Sequence, residues 1–398
     1  MRAARCCRRA NLREDFHLSD IAWLDTSPDE ERRMRELVKM FADTATLDDI
    51  GIGGVRDSLA DQLFPATSTV HTRARYFLFI PWIHAAAAAK FTGTAVVSKA
   101  NDRERVFIET MKAAGHTQGL IGRIAGKGVT ILPSSIYWSA LGKLGIREDS
   151  GPRSAWQVSV EAPAGFPSDV ESGFTMTPAE AAWLQERILA TSPTSYLAHL
   201  VTNGLNVDIR DFESPWDHPA LESASGTIRA TVRHARLFSL AINGAALLYN
   251  LLVAEKYDGV KGSDQAGYVE AYRDLLAEWA ERTANHATEL RSWDVADFWL
   301  SVDRGRSTPI PPGTKVFVDE WIAAVTADEA TKAASSSHLR RLVATRERAN
   351  KGEQSRLNND RALKNWAGAS GAGQLVYRWP NVQTLVGDIA EGLGHAAS

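Results

Sequence analysis

The run DDIGIGGVRDSLADQLFPATSTVHTRARYFLFIPWIH, Asp48 to His84, decides how the rest of the chain is read. Gly51, Gly53 and Gly54 make a flexible turn. Val55, Leu59 and Leu63 follow at helical spacing, so Val55 to Leu63 is predicted to be a short helix with those residues inward. Phe64-Pro65 ends it, and Ala66 to Thr69 forms a polar loop. Val70 to Ile83 is strongly apolar and aromatic, and its periodicity fits helix or strand. Pro81, which cannot donate to an i−4 carbonyl, predicts a break there.

Upstream, Ser27-Pro28-Asp29-Glu30 is a capping box opening a helix with Met34, Leu37, Val38 and Phe41 on one face. Downstream, Ala85–Ala89 favours helix, and a charged helix runs from about Asp102 to Ala114. Gly115 to Ile146 then gives two short helices, Thr117–Ala125 and Ser134–Leu144. That spacing is compatible with a helix-turn-helix, and equally with any three packed helices. A second capping box, Thr177-Pro178-Ala179-Glu180, opens a helix through Leu189, and Thr194 to Val201 gives another. Thr227 to Lys256 reads as one long helix. Its apolar run, Leu237 to Val253, falls short of a membrane span and carries Ser239, Asn243 and Asn250, which predicts a central buried helix. Further helices are expected at Gly267–Asn285, Ser292–Val302, Val316–Ala327 and Asn381–Leu393, with a short strand at Gln374–Trp379. The fold class is mainly α: a multi-helix, bundle-like protein with a few short strands. Composition shifts divide it into a basic disordered tail (1–15), an N-terminal helical domain (16–147), a linker or surface excursion (148–176), a central helical domain (177–330) and a basic C-terminal helical segment (331–398).

Composition narrows the classes of function. A net charge of -3 over 398 residues excludes a generally basic nucleic-acid coat and leaves room for a local basic patch. The two cysteines, Cys6 and Cys7, are adjacent, so no disulfide framework exists, which suits a reducing cytosol; no Cys/His cluster has zinc spacing. Residues 1–15 have arginines and no apolar core, unlike a secretory signal. The expected setting is cytoplasmic, with no membrane partner.

The glycine turn lacks both the dinucleotide fingerprint and the lysine of a phosphate loop. Even so, backbone N–H groups at a helix N-terminus favour an anion, and Arg56, Arg73 and Arg75 would add charge-assisted bonds to a phosphate. The competing reading is a tight turn whose arginines pair with Asp57 and Asp61 inside the fold. Those acids, or Asp48 with Asp49, are too few to assign a metal or acid–base site. His71 lies beside Thr67, Ser68 and Thr69, but no nucleophile elbow accompanies it. No catalytic residue, metal or cofactor is assigned. From Lys332 to Lys364 the chain holds nine Lys/Arg against three acids. Arg340, Arg341, Arg348, Lys351 and Arg356 join the glycine turn as candidate anion or nucleic-acid contacts, although Arg341, Arg348 and Arg356 do not fall on one clean stripe.

The chain resembles a bacterial family labelled domain of unknown function 6361. The resemblance rests on WLD (Trp23–Asp25), ERRM (Glu31–Met34), GIGGVRD (Gly51–Asp57), LFPATSTVHTRARYFLFIPWIH (Leu63–His84), IGRIAGKG, PSSIYW, GIR (Gly145–Arg147), INGAALLYNLL and the C-terminal YRW. It covers nearly everything from about residue 20 onward. Ala66 stands where the family pattern has glycine. The resemblance implies no assigned activity, and a setting near bacterial defence or mobile-element genes. The function expected is a cytosolic accessory protein that binds nucleic acid or a nucleic-acid enzyme, in phage defence. The alternatives are a hydrolase or nuclease acting on a phosphate-bearing substrate, and a structural protein-interaction subunit without ligand.

Overall fold

A 36-residue helix runs through the middle of the molecule, and the other elements are arranged by what they bond to on it. A computed structural model describes residues 48–147, 153–163, 166, 170–261 and 267–394. The basic tail and the helix expected after Ser27 lie outside the described residues. In chain order the described α-helices are α1 (Gly53–Leu63), α2 (Tyr76–Ala88), α3 (Thr94–Ala113), α4 (Pro133–Lys143), α5 (Pro178–Thr191), α6 (Tyr196–Asn203), α7 (Gly226–Lys261), α8 (Tyr268–Asn285), α9 (Ala287–Arg291), α10 (Val295–Arg304), α11 (Pro312–Thr326), α12 (Ser337–Lys351), α13 (Asp360–Leu363) and α14 (Trp379–Gly392).

The central helix is α7. It is long and apolar enough to cross a membrane, yet its apolar window is wholly buried in protein. Its neighbours use hydrogen bonds as well as packing. Trp279 of α8 donates to the Leu240 carbonyl and Trp321 of α11 to that of Ala241, both at 2.8 Å. Gly244 makes room for Trp279, since a Cβ there would overlap the indole. The polar residues of α7 form rungs. Ser239 donates to the Leu375 carbonyl, Asn243 to that of Ala372 and Asn250 to that of Ser370, while the Asn250 side-chain oxygen accepts from the Ser370 N–H. The segment from Ser370 to Leu375, which bends at Gly371 with φ 57°, is thereby held along one face of the helix. Buried polar groups need partners, and here backbone and amide side chains satisfy each other.

Those rungs explain one correction. The strand expected at Gln374–Trp379 does not form, and no strand occurs among the described residues. The Leu375 carbonyl, and those of Ala372 and Ser370 before it, bond to side chains of a helix instead of to another strand. The chain then turns through Tyr377 and Arg378 at positive φ into α14.

Two further expectations fail locally. Helix α2 runs unbroken through Pro81. An internal proline costs about 3 kcal/mol. Here every side chain from Tyr76 to His84 is buried, and that packing offsets the loss. Residues 117–125 form turns in place of a helix, so the helix-turn-helix lacks its first member. Gly119, Gly122 and Gly126 all take positive φ, which a helix cannot accommodate.

The N- and C-terminal parts meet. Helix α14 packs on α5 and α6, and Asp388 of α14 accepts from the Arg73 side chain and the Ala74 N–H just before α2. Ser58 and Gln62 of α1 donate to the carbonyls of Val302 and Ser301 of α10. Buried apolar residues from Ile50 to Ile389 form one cluster. Ala66 takes φ 59°. That is a backbone region that favours glycine.

Candidate functional site

The glycine turn is built around Asp48. Its carboxylate accepts from the N–H groups of Ile52 (2.7 Å) and Gly53 (2.8 Å), which lie at the N-terminus of α1. The place where a helix end would hold an external anion is filled by the chain's own carboxylate. Gly53 must lack a side chain because a Cβ would sit 2.7 Å from Asp48 Oδ2. Gly51 has φ 65°, and a Cβ there would overlap Arg346 and Asn350.

Those two residues come from α12, almost three hundred positions away. Arg346 donates to the carbonyls of Ile50 and Gly51 and to Thr314 Oγ1, at 2.7–2.9 Å. Asn350 donates to the carbonyls of Asp48 and Asp49 at 2.8 and 3.1 Å. Arg306 holds the Gly54 carbonyl at 2.8 Å. The buried Asp49 carboxylate meets Lys351 Nζ at 3.1 Å and Arg356 Nη1 at 3.0 Å, and accepts from Ser370 Oγ. The same Arg356 nitrogen lies 3.1 Å from the Tyr249 hydroxyl of α7. A turn, two helices and the segment from Ser370 are therefore tied by one charge-assisted network, of the kind that resists disassembly because each partner left alone would be a buried charge.

The remaining arginines of the stretch also have carboxylates. Arg56 pairs with Asp57 at 2.9 Å. Arg73 forks onto Asp388, with Nε–Oδ2 at 3.0 Å and Nη2–Oδ1 at 2.8 Å, and lies over the Phe174 ring. Burial pushes the Asp388 carboxyl up, against the downward pull of Arg73 and the Ala74 N–H. The buried Arg75 pairs with Glu180 at 2.8 Å, donates to the Gly173 carbonyl, and rests on Phe79 and Trp82. Glu180 meanwhile completes the capping box with Thr177. Asp61 is shared by Arg378 and Lys143, so of the pairings expected for Arg56, Arg73 and Arg75 with Asp57 and Asp61, Arg56–Asp57 forms, while Arg73 and Arg75 take other acids. No group of three His, Cys, Asp or Glu side chains is placed to hold a metal among the described residues.

His71 stacks on Tyr137 with ring centroids 4.1 Å apart, beside a cleft of about 240 Å³ whose lining includes Thr67, Arg73 and Asn381. Burial holds its pKa down at about 4. His84 is held at about 4 as well, by burial and then by Arg153.

The C-terminal basic candidates divide. Arg340 pairs with Glu255, and Lys351 and Arg356 belong to the Asp49 network. Arg341 and Arg348 are exposed and have no carboxylate partner among the described residues. They lie seven residues apart and share the outer face of α12 with the exposed His338 and Thr345. Arg356 lies beyond α12, in the segment after it, and turns inward, which is why the three do not make one stripe. Sequence reasoning missed Asp48 as a cap and Arg346, Asn350 and Thr314 as clamps. Asp48 stands four and five residues before the N–H groups it bonds, outside the spacing of ordinary helix caps, so neither it nor the long-range clamps had a local signal.

A mainly helical protein whose central turn is closed by its own charges is the class this geometry defines. The chain belongs to the family of unknown function DUF6361, whose pattern it matches over residues 18–393. No curated protein and no solved structure matches it.

Proposed function

We propose that this protein is an accessory factor that contacts the phosphate backbone of nucleic acid through the outer face of α12 and the segment that follows it. The supporting observation is what the internal pairs leave over. Arg341, Arg348, Arg361 and Lys364 are exposed and lack a carboxylate partner among the described residues, and Glu353 is the one exposed acid of that segment without a cationic partner among them. Arg341 and Arg348 stand about 10 Å apart along the helix axis, so they reach separate phosphates. Contacts of this kind position a protein on a strand without reading sequence, which suits an accessory role.

The test is fluorescence anisotropy with labelled single- and double-stranded oligonucleotides between 50 and 200 mM salt. Each phosphate contact contributes about 0.9 to the log–log salt slope on duplex DNA. Replacing Arg341 and Arg348 together by alanine is expected to lower that slope by about 1.8 with folding intact. Absence of affinity at low salt, or an unchanged slope in the variant, overturns the reading.

A further inference from the structure

We propose that the loop from Gly119 to Ile131 is a wedge that inserts Ile124 between bases while Arg123 and Lys127 hold the flanking phosphates; this rests on the nucleic-acid reading above and assigns it a second contact element. Ile124 is 91% exposed, the highest exposure among the large exposed apolar residues described, and Ile131 (62%) and Val106 (53%) on the adjoining α3 are exposed too. Covering that side chain would release about 25 cal/mol for each Å² of apolar surface buried.

The loop is built to keep it there. Leu120, Val129 and Leu132 turn into the core. The Ile121 N–H donates to the Tyr76 hydroxyl at 2.9 Å, and Thr72 Oγ1 donates to the Gly119 carbonyl at 2.6 Å, so the loop stands directly on the stretch that leads into α2. The Lys127 N–H donates to Glu109 of α3 at 3.1 Å. Gly126 has φ 54°, and a Cβ there would overlap the Glu109 carboxylate. Ile124 is therefore presented by a braced turn.

Charge and shape choose the occupant. Arg123 and Lys127 flank the isoleucine, both exposed and without a carboxylate partner among the described residues. Glu109, the acid beneath the loop, is already engaged by the Lys127 N–H and by Lys112. The N–H groups of Ile124 and Ala125 donate to no acceptor among the described residues, leaving them for phosphate oxygens. A lone aliphatic side chain between two cations matches the apolar wedges that unstack a base step. Protein hot spots favour Trp, Tyr and Arg in packed pockets instead.

The experiment uses the full chain and a duplex carrying 2-aminopurine, with anisotropy recorded on the same samples. Wild type is expected to raise 2-aminopurine fluorescence on binding. Ile124→Ala and Ile124→Ser should abolish that rise and weaken binding about tenfold with the salt slope unchanged. Arg123→Ala with Lys127→Ala should lower the slope by about 1.8. Binding that persists with no fluorescence rise, or an Ile124→Ala protein equal to wild type, overturns the wedge and leaves the α12 reading standing. No binding by wild type at 50 mM salt overturns both. Retention of the wild-type protein on anionic vesicles, lost in Ile124→Ala and without a 2-aminopurine response, would assign the loop to a lipid surface and also overturn it.

Discussion

Two glycine turns in this molecule have nearly the same ingredients and opposite fates. The turn at Gly51–Gly54 has Arg56, Arg306 and Arg346 around it and a helix N-terminus, yet Asp48, Asp57 and the turn's own carbonyls take up those positive ends from within. The turn at Gly119–Gly126 carries Arg123 and the exposed Ile124, with Lys127 next to it, and neither cation has a carboxylate partner among the described residues. Glycine beside arginine is therefore a statement about backbone shape. Whether it is also a site depends on where the counter-charges fall, and those are set by tertiary structure.

The comparison breaks most easily at Asp49. Asp49→Ala leaves Lys351 and Arg356 facing each other in a largely buried setting, and should lower unfolding free energy by about 3–5 kcal/mol in urea titrations. Ile124→Ala, in the other turn, should stay within about 0.5 kcal/mol of wild type. Equal effects would erase the distinction. Gly244→Ala, beneath Trp279, probes the core that both turns rest on and should cost about 1–3 kcal/mol by overpacking.

Acid sharpens the contrast because His71 and His84 pack against the aromatic stretch between the turns. Their folded pKa values, and that of His218, lie near 4, below the ordinary 6.5. The unfolded chain then binds more protons in that interval, so their contribution is complete above pH 6.5 and is lost as pH falls towards 4. Chemical denaturation at stepped pH should show this slope, and replacing His71 by glutamine should flatten part of it. A small gain is expected at Ala66. Ala66→Gly relieves the positive φ and should raise stability by about 0.5–1 kcal/mol, visible as a small rise in Tm.

How much was legible follows from the range of each interaction. The helix at Thr227–Lys256 and the cap of Thr177 with Glu180 depend on neighbours within a few residues, and both were read correctly. Pro81 was misread because local chemistry disfavours it and only the surrounding aromatic core reverses the balance. The strand expected at Gln374–Trp379 does not form, and the Leu375 carbonyl within it is bonded by Ser239, 136 positions away. The closed glycine turn lay furthest out of reach. Asp49 and Arg356 are 307 residues apart, and nothing in either neighbourhood marks the other. Arg341 and Arg348 differ for the opposite reason: no acid among the described residues pairs with them.

The most direct measurement is a double-mutant cycle across the closed turn, with Asp49→Ala, Arg356→Ala and the pair compared by urea unfolding. A turn that binds the C-terminal basic segment should show a coupling of about 2 kcal/mol or more between the two positions. Additive effects, with no coupling beyond about 0.5 kcal/mol, would contradict the account and reopen Gly51–Gly54 as a site for an external anion.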